Sequence, residues 1–453
     1  MIFTKDKSFY KSLLLLSLPI ALQNLVTFSV GLADNVMIGA LGDNAVSGVY
    51  MGTQIQTLLQ VFSGGIEGSI LVLATQYWGK RDTESMRKIA GIGLDFSLAF
   101  GILLTVLCVA FPSTVVSLFT NNSQIISTGS EYLRIVAWSY TPFCFTQALI
   151  ASMRSVEKPK IGLYVSLVSL AVNVTLNYIL IFGKLGAPIL GIRGAAIATV
   201  AARVAEAAIT LLYVFFFDKK LKLTPQALII SDKALLSDFF KYGTPIILGQ
   251  LVWAANMMSN SAIMGRQSAD GVVTGLSIAN TLHNLAYVIM NGMAGAVGII
   301  TGKTIGAGKE SLMREYTKTV QVLFLCLGVI TGIGVQLLKN PFISLYNVSY
   351  AARIQARSLI NVLSVTVIGT CYQAACLAGL VKSGGDISFV FKNDCIFVFL
   401  VVVPSALIAT RLGFAPWIVF ACLKCDQILK CFVAVVKINR YNWMKNLTRN
   451  GQA

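Results

Sequence analysis

Asp34 is the residue whose type and setting most clearly suggest chemistry. It lies in the stretch GLADNVMIGALGDNAV, residues 31–46, behind an apolar run in which no other charge follows Lys11. An ionisable group at membrane depth costs at least a few kcal/mol, so it faces protein or water and is a functional candidate by default. Gln23, Thr27 and Gly31 precede Asp34 at intervals close to the 3.6-residue helical repeat and form a polar stripe with it. Further along, Ser166, Ser169, Asn173 and Asn177 recur three or four residues apart on one face, and Thr199 leads onto Arg203 and Glu206 on another. A carboxylate, two amides and a hydroxyl are hard oxygen ligands suited to a small cation such as Na+, and the carboxylate can alternatively take up a proton.

The remaining polar candidates read differently. Glu67 and Asp95 stand isolated in the second and third apolar segments. Gln23, Gln54, Glu67, Gln147 and Asn280 could line a substrate cavity. Arg203 with Glu206, and Asp426 with Lys430, are spaced to neutralise each other on a helix. Lys424 has no evident partner and is free to meet an anionic substrate group. His283, the only histidine, reads as a satisfied polar residue of a cavity wall. The nine cysteines sit mainly in apolar segments, without the spacing of a disulfide framework, and Cys422 with Cys425 forms a CxxC that lacks a second ligand pair. TIGAGKES fails the phosphate-loop pattern, and neither HExxH nor paired DDxxD occurs. The expectation is therefore a non-enzyme, without cofactor, energised by an ion gradient.

The elements that must hold these groups follow from composition. The chain is 56% hydrophobic and 12% charged, against about 25% charged in soluble proteins, and its mean hydropathy is +0.74. Lipid is the first partner implied. Windows of about 20 apolar residues recur throughout and predict about 12 transmembrane helices. The predicted spans are 11–39, 46–77, 88–111, 127–153, 160–183, 191–217, 238–264, 272–302, 316–338, 352–381, 388–410 and 415–437. LLLLSLPIAL is read as part of a true first span, because no small-residue cleavage pattern follows it. The net charge of +17 does not point to nucleic acid. With both termini in the cytoplasm, about 25 of the basic residues fall on the cytoplasmic side, as the positive-inside rule expects.

The sequence also contains a duplication. Residues 18–24, LPIALQN, align with 244–250, TPIILGQ, and the alignment runs on without a gap until 35–39 meets 261–265 and Gln54 meets Asn280. The loops KRDTESMRK and AGKESLMRE then correspond, as do 148–155 and 375–382. Pro19 and Pro245 are equivalent, each removing a backbone hydrogen bond within a span and favouring a bend. Asp34 corresponds to Asn260, so the second repeat lacks the acid. An all-α membrane protein of two pseudo-symmetric six-helix bundles is expected, 1–217 and 242–453, with a cytoplasmic linker at 218–241. Two such repeats can rock about a central cavity. Around Gly65 and Gly292, the stretches GIEG and GMAG permit close helix contact.

Taken together, the Pro19-to-Asp34 spacing, ADNVMIGALGDNAVSG, QYWGKRD, RSVEKPK, NVTLNYILIFG and GIRGAAIATV resemble the multidrug and toxic compound extrusion (MATE) transporters over nearly the whole chain. The resemblance implies efflux of organic cations or amphipathic compounds in exchange for Na+ or H+, from a bacterial plasma membrane, by a protein functional as a monomer. It implies that Asp34 matches the coupling acid of the first span, Asn173 the fifth-span Asn, and Ala195 and Thr199 the sixth-span positions of the cation site. Where many relatives carry a second acid, this chain has Asn177, and its seventh and tenth spans lack the buried acids some relatives use. Coupling through Asp34 alone is the resulting expectation. Two alternatives stay open: a flippase for a lipid-linked sugar or other amphipathic lipid, and a membrane-embedded transferase, against which the missing paired carboxylates speak.

Overall fold

The computed structural model describes residues 3–223 and 232–449, with Asp43 and Asn44 described by backbone only. Part of the expected linker, 224–231, therefore lies outside the described residues. The chain is an all-α integral membrane protein. Its helices are α1 (Lys7–Gly39), α2 (Asp43–Lys80), α3 (Thr83–Ala110), α4 (Pro112–Ser117), α5 (Ser123–Val136), α6 (Tyr140–Ser155), α7 (Lys160–Phe182) and α8 (Ile192–Leu212). After these come α9 (Lys233–Gly265), α10 (Val272–Gly306), α11 (Glu310–Ser344), α12 (Tyr350–Gln373), α13 (Ile387–Ile396), α14 (Val403–Arg411), α15 (Pro416–Leu423) and α16 (Asp426–Asn439).

Nine described helical stretches are long and apolar enough to cross a membrane. Three expected spans depart from that simple form. The span at 127–153 is broken by a tight 3₁₀ turn, Ala137–Ser139, between α5 and α6. The span at 415–437 breaks at Lys424, between α15 and α16. α9 is a continuous 33-residue helix, but its C-terminal part carries Asn256, Ser259, Asn260 and Ser261 and is correspondingly polar. Wider π-helical turns follow α12 at Ala374–Lys382 and α13 at Phe397–Val402. α1 and α9 both continue through their internal prolines, Pro19 and Pro245.

Two compact units result. One contains Met1–Ala21, Thr75–Arg81 and Leu248–Ala453; the other contains Leu22–Ala74 and Asp82–Ile247. Each unit thus takes the opening of one repeat together with the body of the other. The reason is visible in the glycines. In the second unit a Cβ on Gly65 would lie 2.8 Å from the Ile247 Cα, and in the first unit a Cβ on Gly292 would lie 2.7 Å from the Ala21 Cα. These two contacts are repeat-equivalent. Each needs a glycine, because the backbones approach too closely for any side chain.

The residues beyond α16 form a strap over the first unit. Trp443 is fully buried, its Nε1 donating to the Ile438 carbonyl at 3.0 Å. The Gln76 amide donates to the carbonyls of Ser383 and Lys445, each at 3.3 Å, and accepts from the Leu447 N–H at 2.7 Å. Asp386 meets the ammonium groups of Lys437 at 2.5 Å and Lys445 at 2.7 Å. Burial pulls the Asp386 carboxyl up, but these two cations outweigh it and hold it below the ordinary carboxylate range. The second unit has a counterpart of opposite polarity. Asp218, following α8, meets Lys158 from the loop between α6 and α7 at 3.1 Å. Here burial is outweighed by Lys158 and by the backbone N–H groups of Lys222, Leu221 and Lys220, so Asp218 is also held below its ordinary value.

Candidate cation site

α7 and α8 approach closely because Gly194 leaves no side chain at their contact, where a Cβ would sit 2.7 Å from the Leu180 carbonyl. The turn between them is closed by Gly183 in the left-handed region, φ 65°, and by the Leu190 N–H donating to the Leu180 carbonyl at 2.9 Å. This hairpin fixes the depth of Asn173 and Asn177 on α7 relative to Ala195 and Thr199 on α8. Both asparagines are buried, with 1% and 0% of their surface exposed.

Asn177 connects the site. Its Nδ2 donates to Asp34 Oδ1 and, at 3.2 Å, to Asn173 Oδ1. With Asp34 ionised, these two acceptors orient the Asn177 amide with its nitrogen toward the carboxylate. The Asn177 Oδ1 is then buried with no hydrogen-bond partner among the described residues. A buried amide oxygen left without a donor costs about 1–3 kcal/mol, and it lies on a side chain that also contacts a carboxylate. A cation or a proton donor would satisfy both. The Thr199 hydroxyl donates to the Ala195 carbonyl at 3.0 Å, leaving its lone pairs available. Tyr132, on α5, is 4% exposed and lies within electrostatic reach of Asp34. Sequence reading missed Tyr132, because a tyrosine among apolar residues carries no distinguishing spacing.

The Arg203 guanidinium holds both carboxylate oxygens of Glu206 at 2.8 Å and lies 5.0 Å from the Phe143 ring centroid. Its charge also reaches Asp34. The expected pairing of Asp426 with Lys430 is present at 3.1 Å, and Lys430 also takes Asp394 at 2.9 Å.

Glu67 is not isolated. It forms an ion pair with Arg154, whose second nitrogen donates to Gln23 Oε1 at 2.9 Å. Arg154 comes from the loop motif RSVEKPK but sits within the last turn of α6, 9% exposed, so the predicted loop cation belongs to the protein interior. Gly162 lets α7 pass over this group, since a Cβ there would fall 2.3 Å from Gln23 Oε1. Gln23 and Glu67 are thus committed to one network. Gln54 is half-buried and reaches the Tyr50 carbonyl at 3.5 Å; Gln147 is half-buried, and Asn280, also half-buried, lies on α10 in the other unit. All nine cysteines are free thiols.

Comparison with known proteins agrees with this architecture. A multidrug resistance relative from Rhizobium meliloti, named "Probable multidrug resistance protein NorM", is 27% identical over 66% of this chain and 64% of its own length. The alignment thus spans just under two thirds of that relative. A protein of the same name from Thermotoga maritima is 24% identical over 74% of this chain and 72% of its own. Among solved structures, a crystal structure of MATE in complex with MaL6 superposes with a TM-score of 0.86 at 18% identity, covering 95% of this chain and 96% of that one, which establishes the shared fold. The MatE family model matches residues 19–179 and 245–408, one segment in each repeat. With both repeats matched over most of the chain, the protein belongs to the MatE family, the MATE transporters.

Proposed function

We propose that this protein is a secondary active efflux transporter that exchanges organic cations or amphipathic compounds for Na+ or H+, with coupling at Asp34. The observation that carries the reading is the Asp34–Asn177–Asn173 group, with a carboxylate at one end and an unpartnered buried oxygen beside it. The incoming cation is written as a transported species. As Na+, it takes oxygens from Asp34 and Asn177, with Asn173 and Thr199 as further ligands; as H+, it neutralises Asp34. Either event removes a negative charge from α1, beyond Pro19. Pro19 removes a backbone hydrogen bond of α1, the one to the Leu15 carbonyl, on the Lys7 side of Asp34. Charge state at Asp34 and the shape of α1 are thereby linked, and alternating access of the two repeats follows. The setting is the plasma membrane of a bacterium, with both termini in the cytoplasm and the monomer as the working unit.

The test uses purified protein in proteoliposomes loaded with a fluorescent organic cation, with Na+ and pH gradients imposed separately. One gradient should drive efflux and the other should not. Asp34→Asn should reduce driven efflux to the leak rate while leaving the protein folded. Equal driven efflux by wild type and Asp34→Asn would remove Asp34 from the coupling role.

A further inference from the structure

An open groove of about 430 Å³ lies between α13 and the end of α16 in the first unit. Phe389 of α13 and Phe432, Val433 and Val436 of α16 make its apolar lining, and Lys437 and Arg440 stand where α16 ends. Val433, Val436, Lys437 and Arg440 recur at three- and four-residue intervals and therefore share one helical face. That face is apolar through Val436 and cationic from Lys437 onward. Phe432 is 67% exposed and Val436 53%, as suits side chains that meet hydrocarbon. The charges beside them do not balance. Lys437 Nζ meets Asp386 at 2.5 Å and lies 4.5 Å from the Phe389 ring centroid. Asp386 is shared with Lys445 at 2.7 Å, and the exposed Arg440 has no carboxylate partner among the described residues. Lys437, Lys445 and Arg440 thus stand against Asp386 alone.

An apolar trough ending at surplus positive charge matches a molecule with a hydrocarbon chain at one end and an anion at the other. We propose that this groove binds an anionic phospholipid of the surrounding bilayer, with its phosphate between the Lys437 ammonium and the Arg440 guanidinium and one acyl chain along Phe389, Phe432, Val433 and Val436. The planar fork of Arg440 suits phosphate oxygens, and the Asn442 amide, also at the rim, can donate to the glycerol or ester oxygens. A soluble phosphate would leave the apolar lining bare. A zwitterionic lipid would bring its own cation toward the two already there. The phosphate supplies the second anion that the Asp386 cluster lacks, so the lipid also steadies the point where the strap meets α16. The site is separate from the coupling reading.

The experiment is native mass spectrometry of the purified full chain, released from neutral detergent after exposure to an equimolar mixture of dioleoyl phosphatidylglycerol and dioleoyl phosphatidylcholine. The two lipids share their chains and differ in net charge. Wild type should retain the phosphatidylglycerol about tenfold more, since each basic side chain near an anionic headgroup favours it about fivefold and Lys437 is partly committed to Asp386. Arg440→Gln should lower that preference about fivefold, and Arg440→Lys should keep most of it. Lys309→Gln removes an exposed cation of the same unit that does not line the groove and should leave the preference unchanged. Val436→Trp fills the groove and should weaken retention of both lipids. Equal retention of the two lipids by wild type overturns the site, and this comparison needs no variant. An undiminished preference in Arg440→Gln, an equal loss in Lys309→Gln, or unchanged retention in Val436→Trp overturns it too. Excess glycerol 3-phosphate should not displace the lipid; displacement would assign the cations to a soluble phosphate ester and overturn the lipid as occupant.

Discussion

The two repeats keep the same packing and divide the chemistry. Asp34 in the first repeat corresponds to Asn260 in the second, which is 7% exposed and has its own Oδ1 without a partner among the described residues. The close approaches at Gly65 and Gly292, by contrast, are preserved almost contact for contact. Duplication therefore retained what backbone proximity demands, whereas the charges were free to diverge. The region around Asp34 offers a lone acid among amides. The first unit places its charge near the last span, where, among the described residues, Lys430 is shared by two carboxylates and Lys424 by none.

The largest expected effect tests that asymmetry directly. Asp34→Asn should bring driven efflux to the leak rate, whereas Asn260→Asp in the same background should not restore it, because Asn260 lacks the Asn173–Asn177 pair. Restoration would mean that the repeats are interchangeable and the comparison is wrong. Next in size is the Arg154–Glu67–Gln23 network. Arg154→Met leaves Glu67 poorly solvated without its cation and should destabilise the protein by about 3–5 kcal/mol. Glu67→Gln together with Arg154→Met should recover part of that loss in thermal unfolding.

Smaller still are the glycines. Gly65→Ala and Gly292→Ala should each cost about 1–3 kcal/mol by overpacking, and similar costs would sharpen the claim that packing is shared. A strongly unequal pair would break it. The smallest effect concerns the two ties of opposite polarity, Lys158–Asp218 and Asp386–Lys445. Both carboxyls are held below their ordinary value in the folded protein. Their stabilisation is therefore complete above the unfolded value, near pH 4, and is lost as the pH falls through the lower folded value. Asp218→Asn and Asp386→Asn should each lower stability by on the order of 1 kcal/mol at neutral pH, and the difference from wild type should shrink below about pH 4.

Much of this was legible from residue types and spacing. The polar stripe ending at Asp34, the paired asparagines one turn apart, and the Arg203–Glu206 and Asp426–Lys430 pairs all depend on helical periodicity, which a sequence displays directly. Lys424, without a carboxylate partner among the described residues, was legible in the same way. What stayed hidden depends on distance between segments. Glu67 looked alone because its partner, Arg154, is remote in sequence and sits in a motif that reads as a cytoplasmic loop. Tyr132 carried no signal of which neighbour it meets, whereas the break at Ala137–Ser139 is announced by Pro142, whose missing N–H would have bonded the Trp138 carbonyl. The interchange of openings between units was equally invisible, since hydropathy reports that a helix is apolar and not which neighbour it meets.

The strap around Trp443 also bears on the order in which the molecule is assembled. Gln76 belongs to the second span of the first repeat, yet its amide is completed by Ser383, Lys445 and Leu447. Those partners lie after the tenth span and beyond the twelfth, so they leave the ribosome long after Gln76. The early span must enter the bilayer and wait with its Gln76 end unfinished. The residues that emerge after the last span thus close a joint that the first repeat opened, and tertiary assembly of the first unit is completed only after synthesis has passed the final helix.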